Sequence, residues 1–339
     1  MSSRPGSDSA RLAVALLGGG RIGKIHAANA AAHPALSLKY VVDPFGDAAA
    51  ALAARYGAAA TTLESALADP AIAGVIVASP TDQHLTHCLQ AAAAGKAIFC
   101  EKPVDLSVER ARSAAGALAK ARLFLGFNRR FDPSFRALRQ KLQTGAIGSL
   151  ETLHIISHDP APPPVSYIKV SGGLFKDMTI HDFDVARWLL AEPVVEVYAM
   201  AACLVDPAIG AADDIDTAKV LLRTASGRMA LISNSRRSGY GYDQRIEAFG
   251  SGGAVRVDNL TATTVAVWGE EGATRAPFQN FFLERYAEAY RLEMDHFVAV
   301  LRGEEPSVGF ADGVRALELA EAAGRSHATG RPVALSGGA

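Results

Sequence analysis

The chain has 339 residues, 34 Lys and Arg against 35 Asp and Glu, and a formal net charge of -1. It is longer than the roughly 250 to 300 residues at which single cores stop growing, so two domains are expected. Its scattered charges give no reason to expect nucleic acid or an anionic membrane as partner. Apolar runs such as residues 71–78 fall far short of the roughly 20 residues a membrane helix needs. Cys88, Cys100 and Cys203 lie far apart without C-x-x-C spacing, which indicates neither a disulfide framework nor structural zinc and suits a reducing cytoplasm. Residues 1–10 are small and polar with no apolar stretch, and read as a disordered lead rather than a signal peptide.

Short apolar runs then alternate with helical patterns. Residues 12–17 predict a strand, 21–32 an alanine-rich helix, 38–42 a strand closed by Asp43-Pro44, and 48–56 a helix. Strands at 75–78, 97–100 and 123–127 continue the series, with helices at 82–94 and 107–120. Nearly continuous apolar strands separated by helices mark a parallel sheet covered on both faces, so residues 11–127 are expected to form a doubly wound α/β domain. Beyond a helix at 133–143, longer alternating segments at 194–205, 217–223, 229–235, 245–249 and 254–257 are divided by turn signals at 225–227 and 251–253. Residues 128–339 are therefore expected to form an α+β domain with a large, mostly antiparallel open sheet, closed by helices at 284–301 and 310–326. The proline cluster at 160–164 reads as a stiff loop, and residues 183–190, with Trp188, as core helix.

Three motifs carry chemistry. Gly18-Gly19-Gly20-Arg21-Ile22-Gly23 follows the first strand and opens the first helix, and Asp43 ends the next strand, which completes a Rossmann dinucleotide fingerprint. Gly18 permits the tight turn, Gly20 lets the backbone approach a pyrophosphate, and Gly23 allows close helix packing. Asp43 can accept from ribose hydroxyls and would repel a 2′-phosphate, so NAD is favoured over NADP. Glu101-Lys102-Pro103 ends a strand at the carboxyl edge of the sheet, where Lys102 could donate to a reacting hydroxyl and stabilise an alkoxide-like oxygen. Proline after Lys102 leaves open a cis peptide. Gly172-Gly173 precedes Asp177 and His181, four residues apart and so on one helical face, with Asp182 and Asp184 close by. Taken alone, such a pair is most often a surface contact. A metal is disfavoured there because a second histidine at helical spacing is missing.

With these motifs the chain resembles the Gfo/Idh/MocA oxidoreductases from about residue 12 to residue 325, adding Ser79-Pro80-Thr81 with His84, and Gly95-Lys96 before Glu101-Lys102-Pro103. Residues 126–132, 172–184 and 240–247 are most similar to the family's bacterial inositol 2-dehydrogenases. The resemblance implies that Lys102, Asp177 and His181 are catalytic. His181 would take the hydroxyl proton, a task suited to an imidazole, whose ordinary pKa of about 6.5 lies near working pH. Asp177 would orient substrate and imidazole, and Lys102 would bind the same oxygen. It implies cofactor contacts from Gly18, Gly20, Arg21, Ile22, Gly23, Asp43, Ser79, Pro80, Thr81, His84, Glu101 and Lys102, with the part of His84 open between cofactor contact and helix capping. It implies substrate contacts from Arg129, Asp159, Asp177, His181, Tyr240 and Tyr286. Asn128 stands where some inositol dehydrogenases carry Met. The implied activity is oxidation of myo-inositol to scyllo-inosose by NAD in a cytoplasmic homo-oligomer, a dimer or tetramer. Another cyclitol or a glucose-like pyranose, an NAD-dependent redox-neutral glycoside hydrolase, and an NAD-holding sugar sensor are the alternatives.

Overall fold

In a computed structural model the chain is described over residues 11–335 and divides into two compact units. One runs to Gly126 and resumes over Tyr290–Asp312; the other comprises Phe127–Ala289 and the described chain from Gly313 onward. The lead expected at residues 1–10 lies outside the described residues. The expected boundary after residue 127 falls after Gly126, and residues 290–312, assigned from sequence to the second domain, pack with the first.

The first unit alternates β1 (Leu12–Leu17), α1 (Arg21–Ala32), β2 (Leu36–Val42), α2 (Gly46–Arg55), β3 (Ala59–Ala60), α3 (Leu63–Ala68), β4 (Ile72–Val77), α4 (Thr81–Ala93), β5 (Ala97–Glu101), α5 (Val108–Leu118) and β6 (Leu123–Gly126). The strands form one parallel sheet in the order β3-β2-β1-β4-β5-β6. The order reverses at β1, so the carboxyl ends of β1 and β4 flank the crevice where ligands bind in open sheets of this kind. Every residue of β5 is buried: the apolar run Ala97–Cys100 by its pattern, and Glu101 at its end with His26 as partner. The later segment Tyr290–Asp312 belongs here because Phe297 completes an aromatic stack, 5.6 Å from Phe99, which lies 4.7 Å from Phe124. Burying a side chain of that size contributes about 1.5 to 3 kcal/mol.

In the second unit a 3-10 turn (Asn128–Phe131) leads to α6 (Pro133–Gln143), β7 (Leu150–His158) and α7 (Val165–Ser171). A wide π turn (Phe175–Thr179) runs into α8 (Ile180–Leu190), followed by β8 (Val194–Ala202), α9 (Pro207–Gly210), β9 (Thr217–Thr224), β10 (Met229–Ser235), β11 (Asp243–Gly250), β12 (Gly253–Val257), β13 (Ala266–Gly269) and β14 (Gly272–Arg275). The chain ends through α10 (Phe282–Arg285), α11 (Ala287–Leu301), α12 (Phe310–Thr329) and β15 (Val333–Ala334). Asp132 caps α6, its Oδ1 accepting from the Ser134 and Phe135 amides at 3.0 Å, with Pro133 in the first turn where its missing N–H costs nothing. The large sheet has the order β12-β11-β7-β10-β9-β8-β15 and is antiparallel except where β7 runs parallel to β10. Along β9, Ala218, Val220, Leu222 and Thr224 are buried while Lys219, Leu221 and Arg223 are exposed, the period-two signature of a one-sided sheet. Trp188, expected as core, is half-buried under the Arg139 guanidinium.

Candidate functional site

In the first unit the glycine loop is closed on two sides and open on the third. Gly18 has φ of +100°, and a Cβ there would lie 2.4 Å from the Ala78 carbonyl oxygen. A Cβ on Gly23 would lie 2.0 Å from the Gly18 oxygen, so α1 approaches the loop only as glycine allows. At Gly20, by contrast, no described heavy atom comes within 4 Å of an added Cβ. The loop backbone is thus accessible where a pyrophosphate would have to approach it, which fits a dinucleotide. Asp43 fixes that loop: Oδ2 accepts from the Gly19 amide at 2.7 Å and Oδ1 from the Phe45 amide at 2.9 Å. Each oxygen keeps a lone pair for a ribose hydroxyl. Arg21 is exposed and Ile22 half-buried at the start of α1.

The β4–α4 loop carries Ser79 and Pro80, and Thr81 opens α4. Ser79 Oγ lies 2.9 Å from His87 Nδ1. His84 is buried, its Nδ1 2.7 Å from the Pro103 carbonyl oxygen and its Nε2 2.8 Å from that of Ser79. It therefore ties the loops after β4 and β5 together. Burial pushes its pKa down while both carbonyls favour the protonated ring. Glu101 also points inward: His26 Nε2 lies 2.7 Å from its Oε1, and its Oε2 accepts from the Lys102 amide at 3.3 Å. Lys102 itself is half-buried, and the Lys102-Pro103 peptide is cis. Behind Glu101, Glu293 is fully buried with neither carboxylate oxygen hydrogen-bonded among the described residues. Burial, then the charge of Glu101, raises its pKa well above the ordinary glutamate value.

In the second unit, α7 ends on Gly172 at φ +86°, and Gly173 follows at φ +79°. A Cβ on Gly173 would lie 2.7 Å from Asp214 Oδ1, which accepts from the Leu174 amide at 3.1 Å. From this pinned corner the chain enters the π turn, a wide turn often found at functional sites. Asp177 lies in that turn and His181 in the first turn of α8. Asp177 Oδ1 accepts from Tyr167 Oη at 2.9 Å, and both terminal nitrogens of Arg236 donate to Oδ2 at 3.3 Å. The half-buried His181 ring stands edge to face with Phe127, centroids 6.2 Å apart.

Beneath these groups lies a buried polar layer. Arg129 donates to Asp182 and to Ser157 Oγ, the latter at 3.0 Å, and lies 5.9 Å from the Tyr286 ring centroid. Burial opposes its charge, but Asp182 first, then Tyr286 and Tyr242, outweigh burial and raise its pKa. Removing one partner of such a pair costs about 3 to 5 kcal/mol. Asn234 Nδ2 donates to Asp182 at 2.8 Å and Tyr286 Oη to Gln244 at 3.1 Å. Arg129 and Tyr286, expected to touch substrate, are thus buried and bonded within the protein, with the Tyr286 pKa pushed up to about 12 by burial. Tyr240 is more than half exposed, its hydroxyl donating to Asp243 at 2.7 Å. Asp159 follows β7 half-buried; burial first, then Asp177 and Asp182, push its carboxyl pKa up to about 7 against the pull of Arg236 and Arg129. Sequence reasoning missed Arg236, Tyr167 and Asn234. Arg236 stands in a Ser-Arg-Arg-Ser run that reads as a surface turn, and only the sheet brings it to Asp177. Among the described residues no cluster of three or more His, Cys, Asp or Glu is arranged to hold a metal.

Residues 12–128 match the model of the oxidoreductase family with an NAD-binding Rossmann fold, and residues 135–256 match the GFO/IDH/MocA C-terminal domain. The chain is 48% identical to inositol 2-dehydrogenase of Rhizobium meliloti strain 1021, over 95% of this chain and 98% of that one. It is 43% identical to myo-inositol 2-dehydrogenase of Thermotoga maritima over the same shares. Its structure superposes on a myo-inositol dehydrogenase from Corynebacterium glutamicum with a TM-score of 0.92 at 45% identity, covering 96% of this chain and 99% of the other. A scyllo-inositol dehydrogenase from Lactobacillus casei with bound NAD(H) and scyllo-inositol gives 0.89 at 28% identity, over 96% and 99%.

Proposed function

The chain belongs to the GFO/IDH/MocA oxidoreductase family, and from that premise we propose that it is an NAD-dependent cyclitol dehydrogenase oxidising myo-inositol at C2 to scyllo-inosose. The observation that carries the proposal is the second unit's Asp177–His181 pair, set over a polar layer in which Arg129 is matched by Asp182 and Arg236 by Asp177. Such matched charges suit a neutral ring with many hydroxyls better than an acidic sugar. We assign proton removal from the reacting hydroxyl to the His181 ring, orientation of substrate and imidazole to Asp177, and stabilisation of the developing alkoxide to the Lys102 ammonium. NAD, when bound, supplies the hydride acceptor. The Gly18 to Gly23 loop and Asp43 would hold its pyrophosphate and ribose, while His84 and Glu101 serve by fixing the loops beside Lys102. Asp159 and Tyr240 are assigned to hydroxyl recognition, with Arg129 and Tyr286 supporting them from below. We further place the enzyme in the cytoplasm as a homo-oligomer, a dimer or tetramer.

The test is NADH formation from NAD, followed by absorbance, with myo-inositol, scyllo-inositol, chiro-inositol, glucose and xylose, repeated with NADP. Turnover on myo-inositol with NAD and little with NADP is expected. Strong turnover on glucose or xylose alone would transfer the assignment to a sugar dehydrogenase.

A further inference from the structure

We infer that Arg236 is a positioning residue for the Asp177 carboxylate, with Tyr167 closing the same clamp from the opposite oxygen; the inference rests on the polyol oxidation proposed above. Arg236 follows the last residue of β10, is 1% exposed, and its amide donates to the Asp216 carbonyl at 2.8 Å. Its backbone is therefore fixed by the sheet, and its guanidinium reaches the π turn from a rigid base. Nη1 and Nη2 both donate to Asp177 Oδ2 at 3.3 Å, while Tyr167 Oη donates to Oδ1 at 2.9 Å. The carboxylate is thereby held at both oxygens by groups from different elements, α7 and the end of β10.

The same guanidinium lies 4.0 Å from Asp214 Oδ2, and Asp214 pins the Gly173–Leu174 corner from which the π turn springs. One buried cation thus serves both the carboxylate and the corner that aims it. A purely structural arginine would need only Asp214; here both terminal N–H groups are directed at the group assigned to orient the substrate. A carboxylate tethered in this way is preorganised, and a 1 Å error at such a position can cost on the order of 10²-fold in rate.

The test uses NAD-loaded enzyme. Arg236→Ala is expected to lower kcat about 10²-fold with NAD affinity unchanged. Arg236→Lys is expected to recover part of the loss, and added guanidinium ion to restore activity to Arg236→Ala but not to Asp177→Ala. A kcat within about twofold of wild type, or a loss that guanidinium does not relieve, overturns the inference. Should Arg236→Ala not fold, Tyr167→Phe carries the test: about tenfold lower kcat is expected, and an unchanged kcat overturns it. If the wild type reduces NAD with no polyol, the functional proposal falls separately, and the clamp is judged without substrate. In 13C-aspartate NMR the Asp177 carboxyl resonance, identified by its loss in Asp177→Asn, should then move and broaden in Arg236→Ala, because its Oδ2 loses both guanidinium donors. No movement overturns the inference.

Discussion

Glu293 shows how one side chain can make the stability of the first unit depend on pH. It is fully buried, lacks hydrogen bonds among the described residues, and faces the charge of Glu101, so its folded-state pKa stands well above the ordinary value. The folded protein therefore retains a proton that the unfolded chain releases at about pH 4.3. Stability from this group is fully present below that value and is lost as pH rises through the folded pKa. Glutamine cannot titrate. Glu293→Gln should gain on the wild type in melting temperature as pH is raised from about 5 to about 8, by a few °C. A constant difference across that range would show that Glu293 is not protonated in the fold. The chemistry-bearing residues were legible one at a time, because lysine at a strand's carboxyl end or aspartate four before histidine is a local pattern. Their partners were not. Arg236, Tyr167 and Asn234 gain their meaning only once the fold brings Asp177 of the π turn and Asp182 of α8 to them, and the burial of Arg129 and Tyr286 is likewise set by the fold.

Among elements, the sequence pattern located those whose burial is simple. The expected strands at 12–17 and 229–235 and the expected helices at 21–32 and 133–143 match β1, β10, α1 and α6 end to end. β7 went unread because its inward face carries Ser157 beside Leu153 and Ile155, a polar residue buried only because Arg129 and Gln244 satisfy it. α7 was hidden behind the prolines at 160–164, and the π turn has no sequence signature that a four-residue spacing would expose. The glycine loop gives a test at this scale. Gly23→Ala places a methyl 2.0 Å from the Gly18 backbone oxygen, so it should deplete soluble, cooperatively melting protein. Gly20→Ala meets nothing in the protein and should melt like the wild type, yet weaken NAD roughly tenfold in a fluorescence titration because the methyl stands where the pyrophosphate approaches. Equal NAD affinity in Gly20→Ala would remove the loop from cofactor binding.

For the molecule as a whole, the sheet of the second unit leaves large apolar side chains exposed on one face, interleaved with Lys219, Arg223 and Glu247. Strand register puts Met229, opposite Thr152, and Thr152, opposite Phe249, on one side, with Leu221 opposite Leu231 and Tyr198, two residues from Met200, on the same side. Met200, Leu221, Met229 and Phe249 are between 47% and 63% exposed on that side. If this face joins subunits, Met229→Glu with Phe249→Glu should reduce the mass seen by light scattering to that of one chain. A double variant with the wild-type mass would move the interface elsewhere.

The division of the first unit between residues up to Gly126 and Tyr290–Asp312 sets a clock on its birth. As the chain leaves the ribosome, all six parallel strands emerge long before Phe297 and Leu301, which close over Phe99 and Gly74. At roughly 5 to 20 residues per second the nascent nucleotide domain waits on the order of ten seconds or more with that apolar seam uncovered. Residues 127–289 of the second unit are translated inside that interval, so the first unit closes only after most of the second has been made.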